Sequence, residues 1–83
     1  MREEQVQKLR DCVVEILEIE DEDLTGDASF VDEYGGDSMA ALEIMSFCEN
    51  TFDIEIEPEQ MLRLDTFNNT LRLIEELLQS QSV

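Results

Sequence analysis

Apolar residues recur at intervals of three and four along Val6, Leu9, Val13, Ile16 and Leu17, and again along Met39, Leu42, Ile44, Met45, Cys48 and Phe52. That spacing places apolar side chains on one stripe of a helix, whereas a half-buried strand alternates. The only competing strand run, Phe52 to Ile56, is short. The first stripe predicts a helix over about residues 3 to 18, and the second a helix from Ser38 to about Phe52, with Asp37 as N-cap and Ile44, Cys48 and Phe52 facing inward. Pro58 suits the first turn of a brief helix over roughly 58 to 64, with Met61, Leu62 and Leu64 covering the core. The final helix is expected to start after Asp65 or Thr66 and to turn Phe67, Leu71, Ile74, Leu77 and Leu78 inward, before a polar tail from Gln79 to Val83 frays. Residues 20 to 37 hold all three glycines among Asp, Glu, Thr and Ser, and read as a long irregular loop pinned by Leu24, Phe30, Val31 and Tyr34. The fold class is therefore all-α, a small four-helix bundle. It has three longer helices, one short third helix and a long loop between the first two. At 83 residues this is one domain, 1–83, with an ordered core over about 3 to 79, and it is too small for a deep cleft between lobes.

Charge narrows the functional classes. The five basic residues, Arg2, Lys8, Arg10, Arg63 and Arg72, all lie outside residues 11 to 62, and that interval carries 17 of the 22 acidic residues. It accounts for the whole net charge of −17. A field of one sign repels nucleic acid phosphates and anionic membrane and speeds encounter with basic protein surfaces. Neither nucleic acid nor membrane is an expected partner, and the middle of the chain reads as an acidic docking face. No secretory leader and no bilayer-length apolar run is apparent, so the expectation is a soluble cytoplasmic protein, read as a monomer. Cys12 and Cys48 fall at core spacing on helices and are expected as buried thiols.

Ser38 is the chain's chemical handle. It follows Gly35, Gly36 and Asp37 where a glycine turn gives way to helix. With no histidine in the chain and no lysine in the segment, nothing activates it as a nucleophile, so it is better read as a substrate than as a catalyst. A helix start favours an attached phosphodiester through its N–H groups and dipole, partly offsetting repulsion from Asp37 and Glu43.

Ala28, Ser29, Phe30 and Val31, then Gly35, Gly36, Asp37, Ser38 and Met39, followed by Phe52, Asp53, Ile54, Glu55 and Ile56, together resemble the acyl carrier protein family over nearly the whole chain. The resemblance implies that Ser38 takes 4′-phosphopantetheine from coenzyme A through a separate Mg²⁺-dependent phosphopantetheinyl transferase. The arm's thiol then holds acyl groups as thioesters. The protein would be a carrier and not an enzyme, and no resident metal is expected. Acyl-loading, condensing and tailoring enzymes would dock basic patches on the helix that begins at the serine. The matching positions are Asp37, Met39, Leu42, Glu43 and Glu49. By resemblance, an acyl chain would shelter among residues such as Ile44, Cys48, Phe52, Ile56, Leu64 and Ile74.

Departures from the family pattern bear on the pathway. Met39 and Ala40 stand where fatty acid carriers usually have Leu and an acid, Ser46 replaces an apolar contact position, and the stretch Glu59 to Arg63 is less acidic than usual. The run from Gly35 to Ser38 resembles peptidyl carriers. The first reading is a freestanding carrier of a polyketide, hybrid or related specialised pathway, with fatty acid or peptidyl carriage as the alternative. Two readings come from other classes. One is an EF-hand-like calcium loop over Asp21, Asp23, Thr25, Gly26, Asp27 and Asp32. It is disfavoured by Ala28 at its eighth position, the short Asp32 at its last, and glycines in the exiting helix. The other is an acidic adaptor without a prosthetic group.

Overall fold

A computed structural model describes residues 2–35 and 38–81, with only the backbone of Ser38 and Gln81. Its helices are α1 (Glu3–Leu17), α2 (Phe30–Tyr34), α3 (Ser38–Phe52) and α4 (Phe67–Gln81), with 3₁₀ segments at Asp21–Asp23 and Pro58–Arg63. Among the described residues there is no strand, only an isolated bridge between Ser29 and Thr66. The all-α reading and the positions of the three long helices agree with the apolar periodicity.

α1 packs against α3, and α4 against α3 and the second 3₁₀ segment. The interior takes Leu9, Val13 and Leu17 from α1, Ala40, Ile44, Cys48 and Phe52 from α3, and Phe67, Leu73 and Ile74 from α4. Fully burying one such aliphatic side chain contributes about 1.5–3 kcal/mol. Both α1 and α3 stop at a residue in the left-handed conformation, Glu18 (φ 56°) and Asp53 (φ 54°). In each, the next N–H reaches back to a carbonyl five residues earlier, Ile19 to Val14 and Ile54 to Glu49. Half-buried Ile19 and buried Ile54 then anchor the exit on the core.

Several expectations need correction. The loop contains α2 as well as a 3₁₀ turn. Phe30 and Tyr34, four apart on this single turn, share its inner side, which leaves Val31 60% exposed rather than anchoring the loop. The brief third helix is 3₁₀ and ends at Arg63; its period of three aligns Met61 with Leu64 and throws Leu62 outward, 84% exposed. α4 continues through Gln81 instead of fraying at Gln79. Leu73, missed by the periodicity, is fully buried because the inner stripe runs Phe67, Thr70, Leu73 and Ile74. The polar Thr70 disguises that stripe. It tolerates burial because its hydroxyl donates to the Thr66 carbonyl at 2.8 Å. Cys12 is half-buried rather than buried. The expected cap Asp37, with Gly36, lies outside the described residues. The expected cap Thr66 is present, accepting the Asn69 N–H at 3.0 Å.

Gly26 fixes how closely the loop approaches α4. A Cβ there would collide with the side-chain amide of Asn68, and Asn68 already donates its backbone N–H to the Gly26 carbonyl (3.0 Å) and its side-chain N–H to Asp27 (2.8 Å). Gly26→Ala must displace that amide. The expected loss is about 0.5–1.5 kcal/mol, the net worth of a hydrogen bond. In an Asn68→Ala background the same substitution should cost almost nothing, and urea unfolding of the four variants in a double-mutant cycle checks this.

Candidate functional site

Four polar attachments hold the loop that leads to Ser38. Arg10 of α1 donates from Nε to Asp21 Oδ1 (2.8 Å) and from Nη2 to the carbonyls of Asp21 (2.7 Å) and Leu24 (2.8 Å). Its guanidinium lies 5.7 Å from the centre of the Phe67 ring. Asn68 holds Gly26 and Asp27, as above. The Phe30 N–H donates to the Asp65 carbonyl at 2.8 Å, beside the Ser29–Thr66 bridge. The Tyr34 hydroxyl binds Asp23 and Thr25. Leu24 and Phe30 supply the apolar pegs.

α2 ends at Gly35 in the left-handed conformation (φ 68°), with its N–H on the Val31 carbonyl. Ser38 is then the first residue of the fifteen-residue α3, whose first turn contains no acid. The inner stripe of α3 runs Ala40, Ile44, Cys48 and Phe52, all buried. The opposite face presents Met39 (61% exposed), Leu42 (42% exposed) and Glu43 beside it. These three side chains share one turn and stand apart from the core. Glu49 does not join them in the open: it is half-buried, and its Oε2 accepts the Ile56 N–H at 3.0 Å, tying α3 to the extended segment that follows. The residues suggested as an acyl shelter, Ile44, Cys48, Phe52, Ile56, Leu64 and Ile74, are all buried in the common core.

Two of the four EF-hand-like carboxylates have other partners: Asp21 holds Arg10 and Asp27 holds Asn68. Among the described residues, no three His, Cys, Asp or Glu side chains are grouped as a metal site. No helix among them is long and apolar enough to cross a membrane.

The helix start suits a covalently attached phosphodiester: its dipole favours negative charge, its first turn adds no carboxylate, and Met39 offers exposed apolar surface next to it. A family model described as a phosphopantetheine attachment site matches residues 7–74. The acyl carrier protein of Petrotoga mobilis is 29% identical over 77 residues, covering 93% of this chain and 91% of that one. That of Buchnera aphidicola subsp. Acyrthosiphon pisum (strain Tuc7) is 34% identical over 70 residues, covering 84% and 88%. That of Akkermansia muciniphila is 31% identical over 71 residues, covering 86% and 89%. The chain belongs to the acyl carrier protein family. Domains of this family bear covalently attached 4′-phosphopantetheine and act as carriers, generally without catalysis of their own.

Arg10 and Asn68 are the site-forming residues that the sequence reading did not single out, and Tyr34, read there as an apolar anchor, also holds the loop through its hydroxyl. Periodicity reports apolar stripes, and neither Arg10 nor Asn68 belongs to one.

The chain's own thiols are held inactive. Burial, then the charges of Glu15 and Glu43, push Cys12 up to about 11, and burial, then Cys12 and Glu49, push Cys48 up to about 12. A folded pKa above the ordinary 9.0 means the unfolded chain loses its proton first, so this contribution is present below pH 9 and is lost as pH rises toward 11–12. Stability measured between pH 9 and 11 should fall, with a Cys48 contribution approaching about 1.4 kcal/mol per pH unit. The slope should be shallower in Cys48→Ala, and equal slopes would contradict the assignment.

Proposed function

We propose that Ser38 is the attachment point of 4′-phosphopantetheine, delivered from coenzyme A by an Mg²⁺-dependent phosphopantetheinyl transferase. The observation that carries this reading is the position of Ser38 as the first residue of a long helix whose outer face opens with exposed Met39 and Leu42. When attached, the arm supplies a thiol that holds acyl groups as thioesters. The chain's residues hold the arm's base at a fixed helix start, and Cys12 and Cys48 stay protonated, so they do not compete for the acyl group.

The whole chain, 1–83, acts as one monomeric carrier domain, a four-helix bundle with α2 as an extra turn in its long connection, working in the cytoplasm. Asp37, Met39, Leu42, Glu43 and Glu49 form the docking face for the transferase and for acyl-loading, condensing and tailoring enzymes with basic patches. Glu49 contributes its charge from a carboxylate already anchored to Ile56. The net charge of −17 supports electrostatic steering toward such partners and away from nucleic acid and membrane. Met39, Ala40 and Ser46, with the exposed Leu62 beside Arg63, favour a polyketide, hybrid or related specialised pathway over primary fatty acid synthesis.

The test is intact mass before and after incubation with coenzyme A, Mg²⁺ and a broad-specificity transferase. A gain of one phosphopantetheine, absent in folded Ser38→Ala, is expected. No gain across several transferases with the fold intact would leave an acidic adaptor as the better reading. Docking has its own test. Glu43→Lys should slow association with a basic partner by roughly an order of magnitude at low salt, with the loss shrinking as salt rises. A salt-independent effect would count against electrostatic steering.

A further inference from the structure

Tyr34 closes α2 four residues before Ser38. Its hydroxyl donates to the Asp23 carbonyl at 2.9 Å and accepts the Thr25 N–H at 2.9 Å, with Thr25 Oγ1 3.4 Å away. The phenol thus uses both its donor and its acceptor capacity, and the two bonds join the last residue of α2 to the end of the first 3₁₀ turn and the stretch just beyond it. The other end of α2 is fixed separately, through buried Phe30 and the bond from its N–H to Asp65. A short helix held only at Phe30 could swing about that point. The Tyr34 hydroxyl removes that freedom at the end from which the chain departs toward Ser38. Gly35 follows at once in the left-handed conformation, so the chain turns directly after the residue that is held. The half-buried ring would pack equally well without its oxygen. The oxygen adds no apolar burial and adds a positional constraint.

We propose that Tyr34 is a positioning residue for the modification of Ser38: its hydroxyl holds the end of α2 against the loop, and so raises the fraction of molecules that present the start of α3 in the arrangement a phosphopantetheinyl transferase binds. The proposal rests on the reading of Ser38 as the modified residue. Tyr34 is assigned no part in the transfer itself and acts by fixing the end of α2 from which the chain departs. A binding-competent fraction below one weakens apparent affinity by that fraction and leaves the bound complex unchanged. The signature is therefore a rise in KM for the carrier with kcat retained.

The experiment is initial-rate phosphopantetheinyl transfer from coenzyme A, with Mg²⁺ and a broad-specificity transferase, at varied concentrations of wild type and Tyr34→Phe, well below the unfolding temperature. Tyr34→Phe is expected to raise KM about threefold to tenfold, no more than the net worth of the two hydrogen bonds it loses, with kcat within about twofold. Val14→Ala, at a half-buried position on α1 whose side chain takes no part in the four polar attachments of the loop, serves as a general destabiliser and should leave KM at the wild-type value. An unchanged KM in Tyr34→Phe, a fall confined to kcat, or an equal rise in Val14→Ala would overturn the positioning role while leaving Ser38 as the modified residue. A wild-type chain that gains no phosphopantetheine would remove the Ser38 reading, and this proposal with it.

Discussion

The guanidinium of Arg10 makes it physically workable for so acidic a loop to lie against an apolar core. Asp21, Glu22, Asp23, Asp27, Asp32 and Glu33 crowd the connection between α1 and α3, with no base of their own among them. Arg10 reaches across from α1, with a side chain only 25% exposed, and places three hydrogen bonds on that loop while its charged face lies near Phe67. Hydrogen bonds to charged groups are worth about 1.5–3 kcal/mol each, more than neutral ones. The exposed Arg63–Glu76 pair is different in kind. It draws Glu76 below its ordinary range through a hydrogen bond to Arg63 and joins the second 3₁₀ segment to α4, in a setting where solvent screens most of its value.

From that clasp follows the division of labour on α3. Because Leu24 and Phe30 are held down on one side of the core and α1 and α4 cover the other elements of it, α3 needs only its Ala40, Ile44, Cys48 and Phe52 stripe for packing. The face carrying Met39, Leu42 and Glu43 stays exposed, as the proposed docking role requires. A carrier needs such a separation, since a surface that many enzymes must recognise in turn cannot also be committed to the interior.

The long helices and most of the core were legible because apolar spacing reports them directly, as in Leu9, Val13 and Leu17 or Ile44, Cys48 and Phe52. The proposed role of Ser38 rests on sequence signals, the glycine-rich turn before it and a segment lacking any base. Elsewhere local patterns were insufficient. Leu62 looks like a core residue on an α-helical wheel and is exposed because that turn is 3₁₀. Val31 fails as an anchor for a similar reason: one helical turn can direct only Phe30 and Tyr34 inward. The polar clasps of Arg10, Asn68 and Tyr34 join residues from nine to forty-two positions apart in the chain, and nothing in the local sequence around each one encodes its partner. Glu49 shows the limit of residue type as a guide, since its carboxylate serves the backbone of Ile56 as well as the surface field.

The most direct test of a loop held in place by polar clasps is native-state amide hydrogen exchange, followed residue by residue in wild type and Arg10→Met, which keeps the apolar stem and removes the charge. The amides of Leu24 and Thr25, bonded to the Asp21 carbonyl and the Tyr34 hydroxyl, are expected to exchange at least tenfold faster in the variant, while those of Ile44 and Leu73 in the helical core change far less. Loop and core amides accelerating together would mean that Arg10 contributes to global stability alone. Unchanged exchange at Leu24 and Thr25 would mean that the loop is ordered without it, and either result would contradict the account.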